Sequence, residues 1–161
     1  MIERLREILA GLLGRRPPHL QVGALCLRQR GGRPQVLLIT SLGSGRWIIP
    51  KGWPMRGRSL AGAALQEAWE EAGITGRADP KPIGSFVYDK IGEGGLAKQC
   101  EVRIFAVHTS AQAESYPEAG RRERVWLEPA KAAAKVQEEG LKRLLEGLTP
   151  DSKVVSRGRN R

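Results

Sequence analysis

Cysteine and histidine are scarce in this 161-residue chain, at two each. His19 and His108 are isolated in sequence, with no ligand spacing, and no chemistry is assigned to them. Cys26 and Cys100 each lie inside an apolar, strand-like run. They read as buried free thiols in a reducing compartment and not as a disulfide framework. Long hydrophobic runs are also missing: none approaches the ~20 residues needed to cross a bilayer. The opening "MIERLREILAGLL" mixes Glu3, Arg4, Arg6 and Glu7 among its apolar residues, so it lacks the apolar centre of an export signal. The expectation is a cytoplasmic protein with no membrane partner. There is no internal repeat.

What the chain does have is a globular composition, 40% hydrophobic, and enough length for one domain with a proper core. Its net charge of +10 raises nucleic acid as a partner, but half of that charge belongs to the two ends. Lys153, Arg157, Arg159 and Arg161 stand against Asp151 alone in 150–161, and four arginines stand against two glutamates in 1–16. The body's excess gathers beside an acidic cluster. That arrangement suits an anionic small molecule and a metal ion at least as well as a duplex, and nucleic acid is not the expected partner.

Residues 1–13 form an amphipathic helix by spacing, with Ile2, Leu5, Ile8, Leu9 and Leu12 on one side, stopped by Gly14 and Pro17-Pro18. It would cover the domain or make a homodimer contact. Strands are expected at "QVGALCLRQR", "PQVLLITS", "PIGSFVYD", "QCEVRIFAVHT" and "RVWLEP", with a short apolar segment "RWIIP" and a loop "KGWPMRGR". A final helix runs from about Pro129 to Leu148. Residues 110–124 are polar and irregular. The division is therefore an N-terminal helix at 1–16, one domain at 17–149, and a basic, flexible tail at 150–161. Helices interleaved with strands indicate an α/β or α+β domain with helices packed on a mixed sheet.

The best-defined element is "SLAGAALQEAWEEAGI" at 59–74. Ser59 caps its start and Gly73 follows its end. Ala61, Leu65, Ala68 and Ala72 make one apolar stripe, small enough to lie close against a sheet. At about 100° per residue, Glu67 and Glu71 fall within about 40° of one another, with Glu70 about 60–100° to one side. Like charges at these spacings repel, and no lysine or arginine in the helix relieves them. Such a face is either simply solvated or a divalent-cation site. Magnesium accepts few protein oxygens and leaves room for water and phosphate. A third carboxylate at the edge can deprotonate a water. Just ahead stand Arg46, Lys51, Arg56 and Arg58, with no acid among them. They are suited to a polyphosphate held over the metal, and Gly52 lets the chain approach the ion.

The stretch from Gly52 to Ile74 resembles the Nudix box: Gly, five residues, Glu, seven residues, Arg-Glu, an aliphatic, any residue, Glu-Glu, any residue, Gly, an aliphatic. Gly52, Glu67, Glu70, Glu71, Gly73 and Ile74 stand at those intervals, with Ala68 for the first aliphatic. "ALCLRQ", "VLLITS", "RWIIPKG", "EEAGITG" and "RRERVWLEPAKAAAKV" are similar to the diphosphoinositol polyphosphate phosphohydrolase branch, whose members also cleave diadenosine polyphosphates. The resemblance implies an α-β-α sandwich around a mixed sheet, magnesium or manganese as cofactor, and water attack on a phosphoanhydride. It also implies Glu67 and Glu71 as metal ligands, Glu70 as general base and within the metal set, and the Lys51 carbonyl as a further ligand. Arg46, Lys51, Gly52, Trp53, Arg56, Arg58 and Arg122 are the substrate-binding candidates.

Arg58 stands where the family has its first glutamate, and Gln66 where it has its arginine. A guanidinium from Arg58 is expected to replace the one absent at 66. Lys51-Gly52-Trp53 stands where the branch has a glycine triplet, adding a cation and an indole that can narrow the pocket or stack. Trp47, Trp69 and Trp126 read as packing residues. Tyr88, Lys90 and Lys98 flank a hairpin loop read as solvated. Glu101 is either another metal ligand or outward-facing. Two other functions fit the same residues: hydrolysis of nucleoside diphosphate derivatives or RNA 5′ ends, and a non-catalytic ligand-binding protein.

Overall fold

The structure, a computed structural model, describes residues 17–158 together with Ile2, Arg4 and Leu5. Most of the expected N-terminal helix lies outside the described residues. In chain order the strands are β1 (His19–Arg30), β2 (Arg33–Thr40), β3 (Trp47–Ile48), β4 (Lys51–Gly52), β5 (Ile74–Ala78), β6 (Gly84–Ile91), β7 (Ala97–Gln112) and β8 (Arg124–Leu127). The helices are α1 (Leu60–Ala72), α2 (Pro129–Lys135), α3 (Glu139–Glu146) and α4 (Lys153–Ser156).

β1 is the axis. Seven consecutive residues, 21–27, are buried without alternation, which requires cover on both faces. One neighbour is β7, parallel from His19↔Cys100 to Leu27↔His108. On the other side β2 turns back antiparallel through Gly31-Gly32, both at positive φ, as a tight hairpin demands. β4 pairs with Val22 and Gly23 beyond the end of β2. β3 and β8 join β2, and β5 and β6 join β7, all antiparallel. The sheet is mixed because β1 and β7 alone run parallel.

The two faces of the sheet carry different helices. Val22, Ala24 and Cys26 meet Ala61, Ala64, Ala68 and Ala72 of α1. Leu25 and Leu27 face Ala132 and Ala133 of α2 and Leu141 and Leu145 of α3. The fold is thus α+β, a mixed sheet between helical layers. α1 sits low on the sheet because its inward face is alanine.

Four expectations change. The final helix is two: Val136 is extended (φ −83°, ψ 153°) and buried in the second core. The bend lets Ala132-Ala133 and Leu141-Leu145 both reach a sheet that a straight rod of ~30 Å would overshoot. Lys51-Gly52, expected in a loop, forms β4. β5 has no counterpart in the sequence reading. Only Ile74 in it is fully buried, and its register shifts between Thr75 and Gly76, so it has no alternation to read. The start of the expected flexible tail is packed: Val155 is buried, Val154 joins the second core, and Arg157 lies 3.7 Å from Asp79.

Candidate active site

α1 aims its carboxylates by its caps and its alanine face. The Ser59 hydroxyl accepts from the Gly62 N–H at 3.0 Å. Gly73 adopts the left-handed conformation (φ 68°, ψ 24°), and its N–H reaches the carbonyls of Ala68 and Trp69. With alanines down, Glu67 and Glu71 stand at the edge of the sheet and are 9% and 7% exposed. β4 closes over them. The Lys51 N–H donates to Glu71 Oε2 at 3.3 Å, and a Cβ added at Gly52 would overlap the Glu67 carboxylate. Gly52 is glycine so that Glu67 can lie against the backbone. Burial, with Glu70 and Glu118 nearby, pushes the Glu67 carboxyl up to about 7. Burial likewise pushes Glu71 up to about 7, against the pull of Arg122. A bound cation would favour the ionised form of both.

Glu70 stands to one side, near enough to Glu67 to help push its carboxyl up. Its Oε1 accepts from Gln66 Nε2 at 3.0 Å. The residue in the place of the family's arginine therefore still steadies Glu70, as a neutral donor. Arg58, expected to fill that role, is exposed at the mouth of the helix, and the guanidinium beside the acids is Arg122. Its Nη2 lies 3.5 Å from Glu71 Oε1 and 3.3 Å from Glu118 Oε1, and its Nη1 donates to the Thr40 carbonyl at 3.1 Å. Glu118 was not anticipated. Its loop is tied to the end of α1 by Ala113 N–H to Gly73 O, 2.8 Å, and Glu118 N–H to Glu70 O, 3.0 Å. A polar loop carries no periodicity that could mark such a docking.

A cleft of about 420 Å³ opens here, and its walls include Gln21, Lys51, Gly52, Trp53, Glu67, Glu71, Lys90 and Arg122. Of the expected substrate-binding residues, Lys51, Gly52, Trp53 and Arg122 are therefore brought together. Arg46, Arg56 and Arg58 are not. Arg46 turns to the far layer, 3.2 Å from Gln137 Oε1 and 3.4 Å from Glu138 Oε1. Arg56 and Arg58 are exposed beyond the rim. Arg121, next to Arg122 in sequence, is exposed and pairs with Glu118 at 3.7 Å. Glu101 pairs with Arg103 at 3.6 Å and is not in the cleft. Tyr88, read as solvated, is half-buried and bonded to Lys51 and Gln21. Lys90, read likewise, lies 5.0 Å over the Trp53 ring. Gln21 was missed because a lone glutamine in an apolar strand announces nothing.

Among the described residues no three His, Cys, Asp or Glu side chains form a ready cage for a metal. Magnesium is held by one or two carboxylates and completes its shell with water and phosphate. Glu67, lying against Gly52, and Glu71, bonded to the Lys51 N–H, offer the hard oxygen donors such an ion takes.

Comparison with known proteins accords with this geometry. Nudix hydrolase 21, chloroplastic, of Arabidopsis thaliana is 31% identical over 119 residues, covering 73% of this chain and 58% of that protein. Nudix hydrolase 4 of the same plant is 31% identical over 114 residues, covering 71% and 53%. The chain spans little more than half the length of these relatives. Among solved structures, the MutT protein from Methanosarcina mazei Go1 superposes with a TM-score of 0.60 at 21% identity, covering 91% of this chain and 99% of that one. A C. elegans Ap4A hydrolase binary complex gives 0.58 at 20%, covering 80% and 93%. At these identities the structures share the fold alone. The NUDIX domain pattern itself matches residues 17–148, nearly all of the described body, and the chain belongs to that family.

Proposed function

We propose that this protein is a metal-dependent pyrophosphohydrolase acting on a highly phosphorylated small molecule, such as a diphosphoinositol polyphosphate or a diadenosine polyphosphate. One observation carries the reading: buried Glu67 and Glu71 share a cleft wall with the cations Lys51, Lys90 and Arg122. A purely anionic cleft would repel a polyphosphate, and a purely cationic one would bind it without activating it.

Glu67 and Glu71 would hold magnesium or manganese, with the Lys51 carbonyl beside them. The bound ion supplies charge neutralisation on the phosphates. Glu70, steadied by Gln66, takes the proton from the attacking water. The water oxygen bonds to phosphorus as the bridging P–O bond breaks, and the bridging oxygen leaves with the other phosphate. Lys51 and Lys90 hold the flanking phosphates and offset charge on the leaving oxygen. Buried thiols at Cys26 and Cys100 suit a reducing compartment, and the cytoplasm is our reading of location.

The test is product release from a panel of inositol pyrophosphates, dinucleoside polyphosphates, ADP-ribose and nucleoside triphosphates with magnesium, for the native protein and Glu70→Gln. Turnover by the native protein, lost in the variant while binding persists, is the expected result. No turnover of any member would instead favour a ligand-binding protein. Trp53, 44% exposed at the cleft, supports the dinucleotide arm of the proposal, because an open indole offers a nucleobase a stacking face.

A further inference from the structure

Lys51 is backed by two polar side chains, Tyr88 and Gln21, that the proposed reaction does not use directly. Lys51 Nζ is 3.0 Å from Tyr88 Oη, and Tyr88 Oη is 2.5 Å from Gln21 Oε1. The directions of these bonds follow from chemistry. An ammonium only donates, so the phenol oxygen accepts from Lys51 and has one proton left, which goes to the Gln21 carbonyl. Gln21 is 2% exposed on β1, within its run of seven buried residues. The Tyr88 ring also stacks under the ammonium, 4.5 Å from Nζ to centroid. No carboxylate among the described residues lies within 4.0 Å of Nζ. Lysine and glutamine line the cleft, but Tyr88 does not.

A lysine on a four-carbon stem is ordinarily a mobile point charge. Here its hydrogen bond, its aromatic support and its β4 backbone, paired to β1, all restrain it. Among the described residues, two of its three N–H groups have no hydrogen-bond partner and lie beside the cleft. We infer that Tyr88 and Gln21 are positioning residues that hold the Lys51 ammonium as a preorganised phosphate-binding cation. This rests on the polyphosphate reading above. Tyr88 touches no substrate and acts through Lys51, and Gln21 acts through Tyr88. The benefit is that the ordering of the side chain is complete before the ligand arrives.

A double-mutant cycle tests this. Binding of a methylene-bridged diphosphonate, which cannot be hydrolysed, is measured calorimetrically with magnesium for the native chain, K51M, Y88F and K51M/Y88F, with Gln21→Leu as a second way to remove the relay. K51M weakens binding by about 10-fold or more, the scale of a lost hydrogen bond to a charged group. Y88F and Gln21→Leu each weaken it by about 3- to 10-fold. In the K51M background, adding Y88F changes nothing, because the residue it acts through is gone. If Y88F costs as much without Lys51 as with it, or nothing in either background, the inference falls while the polyphosphate reading stands. If the native chain binds no diphosphonate, both fall.

Discussion

Glu67 lies where any side chain at position 52 would have to be. Gly52→Ala therefore drives the carboxylate off its seat with little other damage. Manganese titrated by electron paramagnetic resonance should bind about 10- to 100-fold more weakly to the variant, the scale seen when the support of a metal ligand is lost. At the rim, Trp53→Ala should raise KM for a diadenosine polyphosphate, by the ~5- to 150-fold that one base stack of 1–3 kcal/mol represents, and leave KM for an inositol pyrophosphate nearly unchanged. Equal effects on the two substrates would remove Trp53 as a base-stacking residue. Residue identity was legible where angle decides it: 100° per residue puts Glu67 beside Glu71 from sequence alone. For the cations it was legible only in part: Lys51 and Arg122, both expected there, line the cleft. Arg46, Arg56 and Arg58 adjoin the acids in sequence and point elsewhere, whereas Arg122, more than fifty residues on, makes the contact. Proximity along a loop fixes no direction for a long side chain.

At the scale of the element, α1 is specified locally and placed from outside. Its caps and alanine stripe could be read directly, and Ser59→Ala should lower stability by about 1 kcal/mol. For a chain of this length that is a fall of roughly 2–4 °C in Tm, with kcat little changed because the carboxylates sit two turns away. The α2–α3 break was not legible, since neither glycine nor proline marks Val136. The core marks it, by drawing Val136 inward. Gly140 allows α3 to press on β6, because a Cβ there would crowd Phe86. On the same interface, Leu141→Ala should cost about 2–5 kcal/mol, measured by urea denaturation with an unchanged m-value.

Across the whole molecule the site is a charge arrangement held by the sandwich, and its pH behaviour follows. Without metal, Glu67 and Glu71 keep their protons to about 7, whereas in the unfolded chain they titrate near 4.5. The native state thus binds more protons between those values, and this contribution to stability is full below about 4.5 and lost as pH rises through about 7. The metal-free protein should show Tm falling between pH 5 and 8, and magnesium should raise Tm more at pH 8 than at pH 6, because the ion displaces those protons. A magnesium effect independent of pH would argue that the ion binds elsewhere. By itself the sequence determined the family, the capped carboxylate helix, most of the strands and the pairing of Glu67 with Glu71, since each depends on spacing within a few turns or on one face's hydrophobicity. Only the tertiary structure decided which cations reach the cleft, that Glu118 joins the acids, that Lys51 is held from behind by Tyr88 and Gln21, and that the last helix bends. The contacts of Lys51 with Tyr88 and of Arg122 with Glu71 join residues 37 and 51 positions apart, and a one-dimensional pattern carries no distance between segments that meet only once the sheet is formed.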